Sequence, residues 1–180
     1  LPEYFESDSL VSPLRVRGTD GVYLPFSGRN AAGRIQDALT GLGRLQLVYG
    51  MRVRALGNSE WHNLAIEQEA SKFNTIYTND FYADQGRPEV REFVRRYRLL
   101  TGNTPDEIDV TAQRLAYTGY DVADFLLSEM EERSREPLAE RLRNAPRFEG
   151  VGTRIDFRGD NVNRTMFIHR YREGRIELIR

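Results

Sequence analysis

Closely spaced glycines in the segment 148–160 restrict the fold more than any other feature of the chain. Gly150 and Gly152 precede a stretch, 153–157, in which apolar and charged residues alternate, and Gly159 follows it. Alternation with a period of two is typical of a strand with one buried face, and glycines at both ends are typical of turns. The segment therefore predicts a turn, a half-buried strand and a second tight turn.

The first half of the chain predicts strands that alternate with a helix. Gly21–Phe26 is a short apolar run that predicts a buried strand, and strand character returns over 46–56 and 75–82. The second of these strands is followed by the loop Gly57–Trp61. Apolar residues recur at helical spacing between the first two strands: Ala31, Ala32, Ile35, Ala38, Leu39, Leu42 and Leu45. This order favours a parallel sheet with flanking helices, in which ligands bind at the carboxyl ends of the strands.

The second half of the chain predicts helices. Val90–Tyr97 carries an apolar stripe that stops at Thr101-Gly102. Thr104–Glu107 has the pattern of a capping box with a proline at the first helical position, which is a strong helix start. A further apolar stripe runs from Leu115 to Met130, and Pro137 starts a short helix.

Three strands with tight turns between them are predicted at the end of the chain. They cover 153–157, 164–171 and 175–179. Gly159-Asp160 and Glu173-Gly174 supply the turns, because glycine and its polar neighbours adopt the backbone angles that hairpins need. We therefore expect an antiparallel meander after the parallel part of the sheet.

Composition excludes several classes of protein. The 180 residues suffice for one domain or two small halves. The net charge of −1 does not by itself imply a basic stripe for nucleic acid, and none is predicted; the absence of cysteine excludes disulfides and thiolate chemistry. No run of about 18 apolar residues is present, so no membrane-spanning helix is predicted. Because the chain begins Leu1-Pro2-Glu3, we expect an excised piece from which a targeting signal could have been lost.

The sequence offers little support for an enzyme. His62 and His169 are the only histidines, and they are far apart in the chain. No zinc-protease, paired-cysteine, nucleophile-elbow or phosphate-loop motif is present, and Gly150-x-Gly152 is not followed by a helix as a dinucleotide site requires. We therefore predict no catalytic residue, no metal and no cofactor. Carboxylates are plentiful, which leaves a hydrolase with an unrecognised carboxylate pair as a distant third reading.

Three motifs in a fixed order resemble a known family. The sequence DGVYLPF is followed by a predicted helix and then by ALGNSEW. Later, AYTGYDVA opens a helix and precedes the glycine segment. From about Asp20 to the end, this pattern resembles the C-terminal half of the type I periplasmic binding proteins, the Leu/Ile/Val-binding-protein-like solute receptors of ABC transporters. Those receptors are roughly twice as long. We therefore expect an irregular lead-in over 1–19 and a partial, α/β receptor-like region over 20–180.

The resemblance implies five ligand-binding residues. Phe26 and Ser27 occupy the loop after the first strand, which gives an aromatic or hydroxyl contact in related receptors. Ser59 and Glu60 occupy the second loop, which gives a polar or acidic contact to a ligand ammonium. Tyr117, just before the YDV sequence, occupies the place of an aromatic wall. Both loops follow strands of the same predicted sheet, and so both are expected at its carboxyl edge.

Three of these residues, and two of their neighbours in the motifs, also have a purely structural interpretation. Tyr117 and Phe26 could be core aromatics, and Glu60 could be an exposed loop residue. Trp61 is expected to pack beneath its loop rather than to stack on a ligand. Asp121 is expected to accept hydrogen bonds from backbone amides rather than to bind a ligand.

Two functions are open at this stage. The resemblance implies a receptor that holds a small polar ligand, such as an amino acid, between two lobes, works with a membrane permease, and resides in the periplasm or on the cell envelope as a lipoprotein. The alternative is an interaction scaffold, like the outer-membrane lipoproteins that activate penicillin-binding proteins in cell-wall synthesis. In either case we expect this piece to expose apolar surface and to self-associate.

Overall fold

A computed structural model of the chain describes residues 21–105, 110–131 and 136–179. The predicted lead-in over 1–19 lies outside the described residues, as do Asp106 and Glu107 of the predicted capping box. The described residues form two compact units. The first unit contains the residues up to Asn79 together with those from Ile168 onward, and the second unit contains Asp80 to Phe167.

The two units are built from short strands and five helices in the described parts of the chain. In chain order the elements are β1 (Gly21–Tyr23), α1 (Ala31–Tyr49), β2 (Arg54–Gly57), a 3₁₀ turn (Ser59–Asn63), α2 (Glu67–Ser71), β3 (Ile76–Asn79), α3 (Pro88–Thr101), α4 (Val110–Glu131), α5 (Leu138–Asn144), β4 (Phe148–Glu149), β5 (Arg154–Ile155), β6 (Phe167–Arg172) and β7 (Arg175–Ile179). No helix among the described residues has the length and apolar character needed to cross a membrane.

A mixed five-stranded sheet organises the first unit. Its strand order is β1-β2-β3-β6-β7. The first three strands are parallel, with Val22 opposite Ala55 and Leu56 opposite Ile76. The strands β6 and β7 form an antiparallel hairpin in which Tyr171 lies opposite Ile176. The predicted parallel α/β class with flanking helices and the predicted terminal hairpin are therefore confirmed.

Helix α1 is longer than the sequence predicted. Its buried stripe ends with Leu42 and Leu45, and one further, exposed turn follows over 46–49. It ends at Gly50, which has φ 64° and donates its N–H to the carbonyl of Gln46 at 3.1 Å. The prediction of strand character over 46–56 was wrong over 46–53, because the helix continues to Tyr49 and β2 begins only at Arg54. Residues 46–49 are exposed, so a strand there would gain no burial, and the helix continues until Gly50 ends it.

The core of the first unit lies where α1, the sheet and the 3₁₀ turn meet. Trp61, Tyr77 and Tyr171 are its largest buried side chains, and Ile35 and Leu42 of α1 are fully buried with them. Each such side chain contributes about 1.5–3 kcal/mol by leaving water. The helix α2, which the sequence did not predict, adds Ala70 to this core.

In the second unit, α3 follows the sequence signals closely. Pro88 occupies its first turn, where a missing N–H costs nothing, and Gly102 ends it with φ 84°. Val90 and Phe93 face the core of this unit, where they pack near Tyr117 of α4. The predicted short helix after Pro137 is also present as α5.

The glycine segment forms a loop and a small separate sheet in the second unit. Phe148 pairs with Ile155 in the antiparallel pair β4–β5. The predicted meander was therefore wrong in its first strand, because that strand covers only Arg154–Ile155 and pairs with Phe148–Glu149, not with the terminal hairpin. The physical reason is Asp121, whose carboxylate accepts hydrogen bonds from three consecutive backbone N–H groups of the loop, those of Val151, Gly152 and Thr153.

Close approach explains why this loop contains two glycines. A Cβ on Gly150 would lie 2.2 Å from the carboxyl carbon of Asp121, and one on Gly152 would lie 2.6 Å from the ring of Phe81. Both distances are shorter than any real contact of a methyl group. The glycines are therefore required for the backbone to reach Asp121.

Candidate functional site

Two loops of the first unit leave neighbouring parallel strands at the same edge of the sheet. The first loop follows β1 and carries Phe26 and Ser27. The second loop follows β2 and carries Ser59 and Glu60. Since Tyr23 lies opposite Leu56 in the sheet, the two chains enter their loops side by side. This is the carboxyl edge, at which parallel α/β sheets bind ligands.

The side chain of Asn58 ties the two loops together. Its Nδ2 donates to the backbone carbonyl of Phe26 at 3.0 Å, and its Oδ1 accepts from the backbone N–H of Glu60 at 3.2 Å. The second bond caps the 3₁₀ turn, which is the ordinary role of an asparagine before a helical turn. Sequence reasoning missed Asn58. Its position before Ser59 was the available signal for capping, but the bond to Phe26 depends on the fold.

The four predicted residues of these loops differ in exposure. Ser27, Ser59 and Glu60 are exposed, whereas Phe26 is half-buried and packs against the core of the first unit. Among the residues that the structure describes, no ion pair involves the Glu60 carboxylate. The loops thus present two hydroxyls and a carboxylate beside an aromatic ring, a set that can orient a small polar ligand and pair with an ammonium group.

Trp61 lies beneath the second loop, as its structural interpretation predicted. Its side chain is fully buried. A Cβ on Gly57 would lie 2.6 Å from the indole ring, so the glycine is what allows the ring to lie against the end of β2. Trp61 therefore supports the loop from below and does not form part of its exposed surface.

Two histidines and two tyrosines form a cluster below the same turn. We call His62, Tyr77, His169 and Tyr171 the histidine–tyrosine cluster. The Nδ1 of His62 and the hydroxyl of Tyr77 are hydrogen-bonded at 2.7 Å, and the Tyr77 ring stacks on His169 with centroids 5.0 Å apart. The hydroxyl of Tyr171 donates to the backbone carbonyl of Trp61 at 2.6 Å. The two histidines, distant in the sequence, have ring centroids 5.3 Å apart.

Burial sets the charge state of this cluster. It lowers the pKa of His62. For His169, burial and then the charge of His62 lower the pKa to about 4. Burial, with a further contribution from the Glu67 carboxylate, raises the pKa of Tyr171. All three shifts favour neutral side chains at neutral pH, because the cluster is shielded from water.

Tyr117 belongs to the second unit and is fully buried there. Its ring packs against Phe93 with centroids 4.7 Å apart, and its hydroxyl accepts a hydrogen bond from Nε2 of Gln85 at 3.1 Å. These contacts give Tyr117 the core position that its structural interpretation expected. A contact between Tyr117 and a ligand stays a prediction.

A surface cavity of about 600 Å³ lies at the other edge of the sheet in the first unit. It is lined at the amino ends of the strands, where Gly21 begins β1, Arg54 begins β2 and Asn74 precedes β3. Arg52 and Lys72 also line it. The predicted ligand loops leave the strands at their carboxyl ends, so this cavity is not the predicted site.

Known proteins resemble the chain in structure but not detectably in sequence. No sequence-family model matches it, and no curated protein matches it. An ABC transporter substrate-binding protein from Desulfitobacterium hafniense, in complex with Leu, superposes with a TM-score of 0.53 and 20% identity, covering 98% of this chain and 49% of that one. A putative branched-chain amino acid ABC transporter protein from Rhodospirillum rubrum gives a TM-score of 0.59 and 23% identity, with 99% and 49% covered.

These matches confirm the predicted resemblance at the level of the fold. The chain spans about half the length of the structures it matches. Its parallel strands, flanking helices and terminal hairpin all fall within the matched part, since nearly the whole chain is covered. The chain therefore has the fold of one half of the type I ABC-transporter substrate-binding proteins.

Proposed function

We propose that this chain is part of a solute-binding receptor of an ABC transporter, and that it binds a small polar ligand such as an amino acid without chemical conversion. The observation that carries this proposal is the pair of loops joined by Asn58 at the carboxyl edge of the parallel sheet. These two loops carry the exposed side chains of Ser27, Ser59 and Glu60, and the matched structures include one described as a complex with Leu.

In the proposed site, each loop residue makes a different contact with the ligand. The Glu60 carboxylate pairs with the ligand ammonium, the hydroxyls of Ser27 and Ser59 orient the ligand, and the Phe26 ring supplies apolar area. A receptor of this kind works by closing around its ligand, which requires that the ligand bind the closed state more tightly than the open state.

The partners and location follow from the same proposal. Delivery of a captured solute requires a membrane permease, and capture from outside the cell requires that the receptor reside in the periplasm or on the envelope. Because the chain spans about half of the matched structures, we propose that the complete receptor contains a further part that completes the cleft.

The direct test is calorimetric titration of amino acids into the complete receptor and its Glu60→Gln variant. A hydrogen bond to a charged group contributes about 1.5–3 kcal/mol. We therefore expect Glu60→Gln to weaken binding by about ten- to a hundredfold. Glu69→Gln is the matched control, since Glu69 is an exposed carboxylate of the same unit on α2 and should leave the affinity unchanged.

The titration separates the two candidate functions. Equal affinities of the parent and Glu60→Gln would remove Glu60 from the site but keep the receptor. No binding of any amino acid by the complete parent protein would reject the amino-acid receptor, and a pull-down against purified penicillin-binding proteins would then test the interaction scaffold.

A further inference from the structure

The 3₁₀ turn that carries Ser59 and Glu60 is held to the sheet by two side-chain hydrogen bonds. The hydroxyl of Tyr171 donates to the carbonyl of Trp61 at 2.6 Å. The next residue, His62, is bonded through Nδ1 to the hydroxyl of Tyr77 at 2.7 Å. Both attachments fall within two residues of Glu60. The position of the exposed part of the turn therefore depends on the buried histidine–tyrosine cluster below it.

The surroundings of the cluster contain few charges. The turn contributes His62, β3 contributes Tyr77, β6 contributes His169 and Tyr171, and α2 contributes Glu67, whose carboxylate acts on Tyr171. The buried face of α1 is apolar throughout. Among the charged side chains of the hairpin, Arg170 pairs with Glu177 and Arg172 pairs with Glu173.

Protonation of the cluster is unfavourable while the turn is closed. His169 is fully buried and His62 is half-buried, so a proton on either ring places a charge where water is partly or wholly excluded. Protons on both would place two positive charges on rings 5.3 Å apart. If the turn lifts from the sheet, water reaches His62 and His169, and both return towards the ordinary pKa of 6.5.

The sign of the pH effect follows from these shifts. The closed-state pKa values of both histidines lie below the ordinary value. Below pH 6.5 the open turn therefore binds more protons than the closed turn. The advantage of the closed turn is complete above that pH and is lost as the pH falls towards about 4.

We propose that the histidine–tyrosine cluster is an acid-sensitive latch, which holds the Ser59–Asn63 turn closed near neutral pH and releases it in mild acid. The latch concerns the turn itself and does not need a ligand. Its consequence for ligand release rests on the proposed function, in which Ser59 and Glu60 contact the ligand.

The chain contains natural spectroscopic probes for the opening of the turn and for the ionisation of the histidines. Trp61 is its only tryptophan and lies in the turn, and His62 and His169 are its only histidines. Trp61 fluorescence, recorded without ligand from pH 8 to pH 4, reports exposure of the turn. Far-ultraviolet circular dichroism reports the helices and sheet, and proton NMR of the two histidine rings reports their ionisation.

We expect Trp61 emission to shift to longer wavelength in acid while the circular dichroism stays constant. For one histidine with the pKa values given above, the equilibrium constant for opening should rise by about tenfold per pH unit between pH 6.5 and pH 4. His169→Phe keeps a ring to stack on Tyr77 but cannot titrate, and His62→Gln keeps a hydrogen-bonding group. Each variant should weaken the pH dependence, and the double variant should abolish it.

Tyr171→Phe is the matched control, because it removes the bond to Trp61 but leaves both histidines. It should loosen the turn at every pH and keep the acid transition. Histidines that titrate near 6.5 with unchanged Trp61 emission would overturn the proposal. So would emission and circular dichroism that change together, since that result means general unfolding. A receptor that binds no amino acid would reject the proposed function but leave these outcomes intact.

Discussion

At the scale of single residues, one buried carboxylate determines the shape of the glycine loop. Asp121 accepts hydrogen bonds from Val151, Gly152 and Thr153 backbone N–H groups at 2.7, 2.8 and 2.7 Å, and from the Thr153 hydroxyl at 2.9 Å. An amide in its place would turn an NH₂ group towards N–H donors. We expect Asp121→Asn to lower the free energy of unfolding by about 2–4 kcal/mol, measured by urea denaturation.

Asp124 provides the control for this prediction. It lies on the same helix as Asp121 but is exposed. Asp124→Asn should change the free energy of unfolding by no more than about 0.5 kcal/mol, as surface substitutions usually do. If both variants unfold at the same urea concentration, the hydrogen bonds of Asp121 contribute less than this account requires.

A second single-residue prediction concerns the glycine beside Trp61. Gly57→Ala would place a Cβ 2.6 Å from the indole, so the ring must move or the strand must shift. We expect a loss of about 1–3 kcal/mol in the free energy of unfolding, together with emission from Trp61 at longer wavelength.

Gly33→Ala serves as the comparison for Gly57→Ala. Gly33 lies within α1 and has open space around its Cβ position, so this substitution should stabilise the protein by about 0.5–1 kcal/mol. An unchanged Trp61 spectrum in Gly57→Ala would mean that the turn tolerates the added methyl group.

Residue identities predicted some of these roles and not others. Asp121 was expected to accept hydrogen bonds from backbone amides as a carboxylate at a helix start. It does accept such bonds, but it lies in the middle of α4, and the amides belong to the loop 151–153. Asn58 and the pair His62–His169 could not be predicted in this way. Their contacts join segments that only the sheet brings together, as does the bond between Tyr171 and Trp61, which are 110 residues apart in sequence.

At the scale of elements, α1 shows how a helix end can be set by one glycine. Gly50 has φ 64° and nothing within 4 Å of its Cβ position, so a side chain there meets no obstacle except backbone strain. We expect Gly50→Ala to lower the melting temperature, by a loss of about 1 kcal/mol in stability. Gly43→Ala, in the middle of the same helix and within ordinary contact distance of Phe73, should raise it.

The pair of variants tests the backbone explanation of the helix end. Thermal unfolding followed by circular dichroism gives both melting temperatures. If Gly50→Ala melted at the same temperature as the parent, the left-handed conformation of Gly50 would not be what ends the helix.

The type of each element, helix or strand, was predicted better than the pairing between strands. The helices α3 and α5 follow from capping and proline signals, which act over a few residues. A strand was recognised within 153–157, where the structure has Arg154–Ile155. Its pairing with Phe148–Glu149 was not recognised, because hairpin signals are local and Asp121 acts from α4. The end of α1 was missed because Gly50 was not recognised as the residue that ends the helix.

At the scale of the whole molecule, several large apolar side chains are exposed on the surface. In the second unit, α4 buries Tyr117 and Phe125 but exposes apolar residues on its other side. Leu115, Leu127 and Met130 are 65%, 57% and 60% exposed. A helix that is apolar on both sides is typical of one that is covered on both sides. We expect the isolated chain to self-associate through this face of α4, with a second copy as the partner.

Sedimentation velocity over a range of concentrations tests this expectation. The parent chain should sediment faster as its concentration rises, and the double variant Leu115→Gln and Leu127→Gln should remain a monomer. A parent that stays monomeric at high concentration, without binding a dye for apolar surface, would contradict it. Asp124→Asn, exposed on the same helix, is the control that should not alter association.

The order of the strands also affects how the protein folds while the ribosome synthesises it. The strand β3 precedes the entire second unit in the chain, whereas its neighbour β6 follows that unit. At about 5–20 residues per second, synthesis leaves β3 without this neighbour for a time on the order of ten seconds. During that interval its backbone is an open edge that another nascent chain could occupy. We therefore expect the first unit to complete its sheet only after the second unit has been synthesised. Until then, a chaperone would have to shield the exposed edge of β3.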